Sequence, residues 1–182
     1  MNEINKNDNI IKINKSFSKN DAWKDWIYSC VYWPIMIAQM VLVFFFYNYY
    51  EYKIISWVGW AVFVLFLIIG ALPRSAFKKY GELQEGKRFF ESAKLVDKGI
   101  YGVIRHPYWL SWILLSFSLM LLSQYWIMIL LGSIACILIY VETFDLDTNL
   151  IKKFGDDYIN YKKKVPRLNL LCGLIKYFIK NN

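Results

Sequence analysis

The sequence predicts an all-α polytopic membrane bundle of about four spans, the last two folded as a tight hairpin, and three observations carry that prediction. Of the 182 residues, 57% are hydrophobic and 19% aromatic, an apolar excess for which a soluble domain has no room. Charged residues are missing altogether from 26–50, 54–73 and 107–141. Lys and Arg crowd the stretches between and beyond those gaps. Inside lipid each backbone N–H and C=O must find its partner within the chain, so an apolar stretch of this length crosses as a helix.

Taken in order, residues 1–25 are rich in Asn, Lys and Ile, show no amphipathic period and are expected to form a mobile basic arm ahead of a membrane domain, 26–182. They precede a span too long for a signal-peptide core. A hydrocarbon layer about 30 Å thick takes roughly 20 helical residues to cross, so 26–50 and 54–73 each supply one span. The third gap, 35 residues from Pro107 to Val141, would reach about 52 Å as a single helix. It must fold back, and Ser123-Gln124-Tyr125 is the polar interruption near its middle. Spans over 108–122 and 126–141 follow, both short enough to imply tilt or shelter behind other helices.

Orientation is read from positive charge, which the cytoplasmic side retains during insertion. The arm to Asp25 carries five Lys and Arg, the stretch Arg74 to Arg105 eight, and the tail after Glu142 eight. The linker Glu51 to Lys53 has one and the hairpin turn none. Both termini and the segments 74–107 and 142–182 are therefore expected in the cytoplasm, which in a prokaryote makes the membrane the plasma membrane. Topology and anionic headgroups then explain the net charge of +8, and no nucleic-acid partner is expected. Cys30, Cys136 and Cys172 are scattered and there is one histidine, a pattern that argues against a disulfide framework and a metal site.

Two basic segments could carry chemistry. In the first, Lys94 to Trp109, Pro107 suits the first position of a helix and disfavours helix before itself, so His106 is expected to cap the third span. That helix end, beside Arg105, would offer amides and positive potential to a carboxylate or phosphate. Alternatively Arg105 and His106 are an interfacial anchor, with Tyr108 and Trp109 as aromatic belt. Gly99 and Gly102, around Tyr101, would let backbone approach a ligand closely. In the second segment, Glu142 to Val165, a helical stripe of Leu150, Ile151, Phe154, Tyr158, Tyr161 and Val165 also takes in Asp147. A carboxylate on an apolar face needs a cation, either Arg105 or a nearby lysine, or a bound ammonium group. Glu142 at the membrane boundary is equally open.

Leu95-Val96, Gly99-Ile100-Tyr101 and Arg105-His106-Pro107, in that order, resemble the signature of the isoprenylcysteine carboxyl methyltransferase family and its phospholipid methyltransferase relatives. Leu150, Phe154-Gly155, Tyr158, Tyr161 and Val165-Pro166 resemble that family's C-terminal motif, so the likeness covers roughly residues 54–167. The resemblance implies S-adenosyl-L-methionine bound at the cytoplasmic face between the His-Pro segment and the acid-bearing helix. It also implies a lipid or prenylated-cysteine carboxylate acceptor entering sideways from the bilayer. Carried over by position, Lys94, Leu95, Val96, Tyr101, His106, Pro107, Tyr108 and Trp109 would line the cofactor pocket. Charge suggests Arg105 for the cofactor carboxylate and Asp147 for its ammonium; Arg105 and His106 are expected to position the reactants, and the resemblance places Glu142 towards the substrate. Three departures stand out: Leu146-Asp147 where the family has paired acids, Glu142 where eukaryotic members have arginine, and Trp109 for the usual tyrosine. A phospholipid amine N-methyltransferase, a sterol-type NADPH reductase and a non-catalytic membrane scaffold are the alternative readings.

Overall fold

The computed structural model describes residues 27–81 and 95–181, so the 1–25 arm and Lys94 lie outside the described residues. Among the described residues all regular structure is helical. It comprises α1 (Ile27–Phe45), α2 (Lys53–Tyr80), a 3-10 turn (Gly99–Gly102), α3 (Pro107–Ser123), α4 (Trp126–Phe154), α5 (Asp156–Lys164) and α6 (Leu170–Asn181). Helices α1, α2 and α4 are long and apolar enough to cross a membrane; α3, with 17 residues, is a shorter apolar helix.

Three boundaries differ from those expected, each for a physical reason. Helix α1 stops at Phe45 rather than near residue 50, because Asn48 takes a left-handed conformation and Asn48 and Tyr49 donate their N–H groups to Leu122 and Ser123. Helix α2 runs past Pro73 to Tyr80. Hydropathy marks where lipid contact ends, whereas helical hydrogen bonding continues into water, here towards Lys78 and Lys79 in the favourable last turn. Helix α4 likewise continues through Glu142 to Phe154, where Gly155 at φ 59° breaks it from α5. The 142–165 stripe is thus divided between two helices. The hairpin turn falls where expected, with Gln124 in the left-handed region and Tyr125 extended.

Helix α3 lies between α2 and α4. Its Leu115 and Leu119 join Tyr32 and Met36 of α1 and Met128, Ala135 and Ile139 of α4 in the main core. Inside this core Ser116 Oγ donates to Gln39 Oε1 at 2.8 Å, and Gln39 Nε2 donates to the Met128 carbonyl at 3.4 Å, whereas Ser118 Oγ is buried without a partner. Gly132 allows the close approach, since a Cβ there would run into Met120 Sδ and Gln39 Nε2. Small residues are the usual means of close packing between apolar helices. Gly132→Val is expected to lower stability by about 1–3 kcal/mol through overpacking, read from unfolding in detergent micelles; an unchanged midpoint would mean that α4 can shift freely.

At one end of the bundle, Gln124 joins the two interhelical turns. Its Nε2 donates to Asn48 Oδ1 at 2.8 Å, to Ser56 Oγ at 2.9 Å and to the Tyr52 carbonyl at 2.9 Å, while its Oε1 accepts from Tyr52 N–H at 3.1 Å. Phe46 stacks on Tyr125 beside it, ring centres 4.3 Å apart. The opposite end, where α2, α5, α6 and the 95–107 segment meet, carries the candidate site.

Candidate functional site

Pro107 is the first residue of α3 and His106 its N-cap, as the proline implied. The residues before them are held by the chain beyond α5: Arg105 N–H donates to the Pro166 carbonyl at 3.0 Å and His106 N–H to the Arg167 carbonyl at 3.2 Å. Tyr161 Oη adds a bond of 2.7 Å to the Tyr101 carbonyl. Below this contact Tyr158, Tyr161 and Val165 pack with Leu95, Leu150, Ile151 and Phe154. Two segments far apart in sequence therefore meet at one end of α3.

Asp147 is the centre of the meeting, its side chain 3% exposed. Its Oδ2 accepts from Arg105 Nη1 at 2.7 Å and Arg167 Nη2 at 2.9 Å, with Lys162 Nζ at 3.8 Å. Its Oδ1 accepts from His106 Nε2 at 2.8 Å and Tyr158 Oη at 2.5 Å. Of the readings of this acid, the geometry shows the ion pair with Arg105, joined by Arg167 and by the Lys162 ammonium at 3.8 Å. Three cations against one anion leave the cluster positive. Within it, Arg105 Nε is buried without an acceptor, a donor whose desolvation cost nothing in the cluster offsets.

A carboxylate only accepts, so the His106 proton sits on Nε2 and the lone pair of the neutral ring on Nδ1. Burial lowers the His106 pKa from its ordinary 6.5, outweighing the Asp147 carboxylate that raises it. Burial and the Asp147 carboxylate push the Tyr158 hydroxyl well above its ordinary value, so it remains a donor. Below pH 6.5 the unfolded chain binds a proton at residue 106 that the folded protein refuses. The stability contributed is complete above that pH and is lost as pH falls, by at most about 1.4 kcal/mol per unit for one group. Comparing wild type with His106→Gln by chemical unfolding between neutrality and pH 5 should show a steeper fall in the wild type; parallel curves would mean that His106 is protonated in the fold.

Beside the cluster opens a cavity of about 1030 Å³, walled by the 95–102 segment, α5 and α6 and including Leu95, Gly99, Gly102, Phe154 and Tyr161. Of the residues expected around one pocket, Leu95 faces this cavity. Val96, Tyr101, His106, Pro107 and Asp147 do not line it, and all but Tyr101 are buried in the protein. Pro166, whose carbonyl holds Arg105, belongs to both. Tyr108 and Trp109 turn to the other side, towards α1 and α4, where Trp109 Nε1 donates to Glu142 Oε2 at 3.0 Å. Glu142 is buried there beside Trp109 and is not part of the Asp147 cluster. Arg167 and Tyr158 are cluster members that the sequence reading did not assign to a site. Tyr158 was visible as part of the stripe carrying Asp147, but Arg167 follows Pro166 in a stretch without period. Its guanidinium also lies 3.5 Å from the Phe144 ring centre, which fixes it from the second side. Compared with protein-family models, curated proteins and solved structures, the chain matches none.

Proposed function

We propose that this chain is a four-span integral membrane methyltransferase that uses S-adenosyl-L-methionine to methylate a lipid-borne acceptor. The observation that carries the reading is the buried, unpartnered Nε–H of Arg105 in a cluster with excess positive charge at the N-terminus of α3, one backbone hydrogen bond away from Pro166 in the lining of a large cavity. A donor in that setting suits an anionic group, and the cofactor's carboxylate is one. The two ordered motifs resembling the methyltransferase family support the same choice. In this reading α3, about 26 Å long, is the third span, and the basic end of the bundle faces the cytoplasm.

The cofactor supplies an electrophilic methyl group on sulfonium, so the protein's task is positioning and exclusion of water. Arg105 and the first amides of α3 would hold the carboxylate. Asp147 fixes Arg105, Arg167 and His106 in place, and Tyr158 keeps the acid's remaining lone pairs occupied. Leu95, Gly99 and Gly102 give the ligand a backbone wall that no long side chain obstructs. A carboxylate acceptor enters ionised and needs no base. An amine acceptor would have to lose a proton to a base.

Calorimetry on the purified protein and transfer of labelled methyl into membrane lipid test the proposal. Binding of S-adenosylhomocysteine with label in the lipid fraction is expected. Affinity for NADPH with none for S-adenosylmethionine or S-adenosylhomocysteine would establish the reductase alternative, and no binding of any of them would leave a scaffold. Base-labile label identifies an ester and base-stable label a methylated amine.

A further inference from the structure

We infer that α6 is an interfacial helix that docks on the headgroup region of an anionic leaflet, so that one wall of the cavity is formed by a helix resting on lipid. Leu171, Ile175 and Phe178 follow at helical spacing on one face and are 73%, 59% and 63% exposed, with Ile179 at 73% beside them. Gly173 and Tyr177 lie on the opposite face. Gly173 is buried against the Val103 carbonyl so closely that a Cβ would collide with the backbone, and the Tyr177 ring lies over Gly102. Helix α6 is thereby seated on the 99–103 segment through its small face and presents its large apolar side chains outward. Exposed apolar patches of this kind mark a partner or a membrane.

Two features decide for the membrane. Val103 lies four residues before Pro107, the start of an apolar helix packed between two helices long enough to cross a bilayer, so α6 is held at the level where lipid begins. On balance the charges nearby are complementary to anionic headgroups: Lys98, Lys164 and Lys176 line the cavity against Asp97 and Asp157, and Lys163 is exposed at the end of α5. An amphipathic helix with lysine beside its apolar face binds such a leaflet through both terms. The inference stands independently of the reaction proposed above.

The test uses the full chain with Cys30→Ser, Cys136→Ala and Cys172→Ser, carrying a nitroxide at Ile175→Cys, an exposed position where a label leaves the packing intact. It is reconstituted in vesicles of phosphatidylcholine alone and of phosphatidylcholine and phosphatidylglycerol in equal parts. Collision of the label with a water-soluble nickel chelate is expected to fall about fivefold on going to the anionic vesicles, while collision with oxygen rises. Adding Lys176→Glu should reverse most of that change. Equal nickel access in the two vesicle types would overturn the inference. So would protection that increases with the protein-to-lipid ratio and brings spin–spin broadening, because a second copy would then cover the face.

Discussion

Asp147→Ala is expected to cost the protein about 3–5 kcal/mol, the largest loss for a single side chain outside the main core. The substitution does more than remove four hydrogen bonds. It leaves Arg105, with a side chain 7% exposed, and Arg167, at 16%, facing each other with their common counter-ion gone. Both lie on backbone that the Arg105–Pro166 and His106–Arg167 bonds hold in place, so two like charges remain close together in a buried setting. Unfolding in micelles followed by tryptophan fluorescence provides the measurement, with Asp145→Ala, outside the cluster on the same helix, expected within about 0.5 kcal/mol of wild type. A loss for Asp147→Ala no larger than for Asp145→Ala would mean that water reaches both arginines.

The second large effect concerns ligand binding. Arg105→Lys retains a positive charge that can still reach Asp147 but has no equivalent of the Nε–H, and the two side chains are not interchangeable at a multidentate site. If that N–H binds the cofactor carboxylate, affinity for S-adenosylhomocysteine should fall about tenfold to a hundredfold. The stability loss should stay well below that of Asp147→Ala, because the ion pair is kept. Titration calorimetry gives the first quantity and micelle unfolding the second. An unchanged affinity with reduced stability would make Arg105 a purely structural partner of Asp147.

Where the apolar stretches lie, and where the hairpin turns, could be read from the chain because hydropathy and one polar tripeptide report on lipid directly. The ends of α2 and α4 could not. Arg74 and Glu142 mark the limits of apolar sequence, yet the helices run on to Tyr80 and Phe154, since hydrogen bonding along a helix does not depend on lipid. Asp147 was legible as an acid in need of a cation, with Arg105 among the named partners, because a carboxylate on an apolar stripe is costly alone. Arg167 was not, for its position depends on how the chain turns after α5, and nothing periodic encodes that turn. Nor could the sequence separate Tyr108 and Trp109 from His106. Their different directions arise from the first turn of α3, where successive side chains point about 100° apart.

The bonds of Gln124 to Asn48, Tyr52 and Ser56 have a mechanical consequence. They tie both turns together at one pole of the bundle, and Gln124→Leu would release all four bonds and loosen that pole while the Asp147 cluster still holds the other.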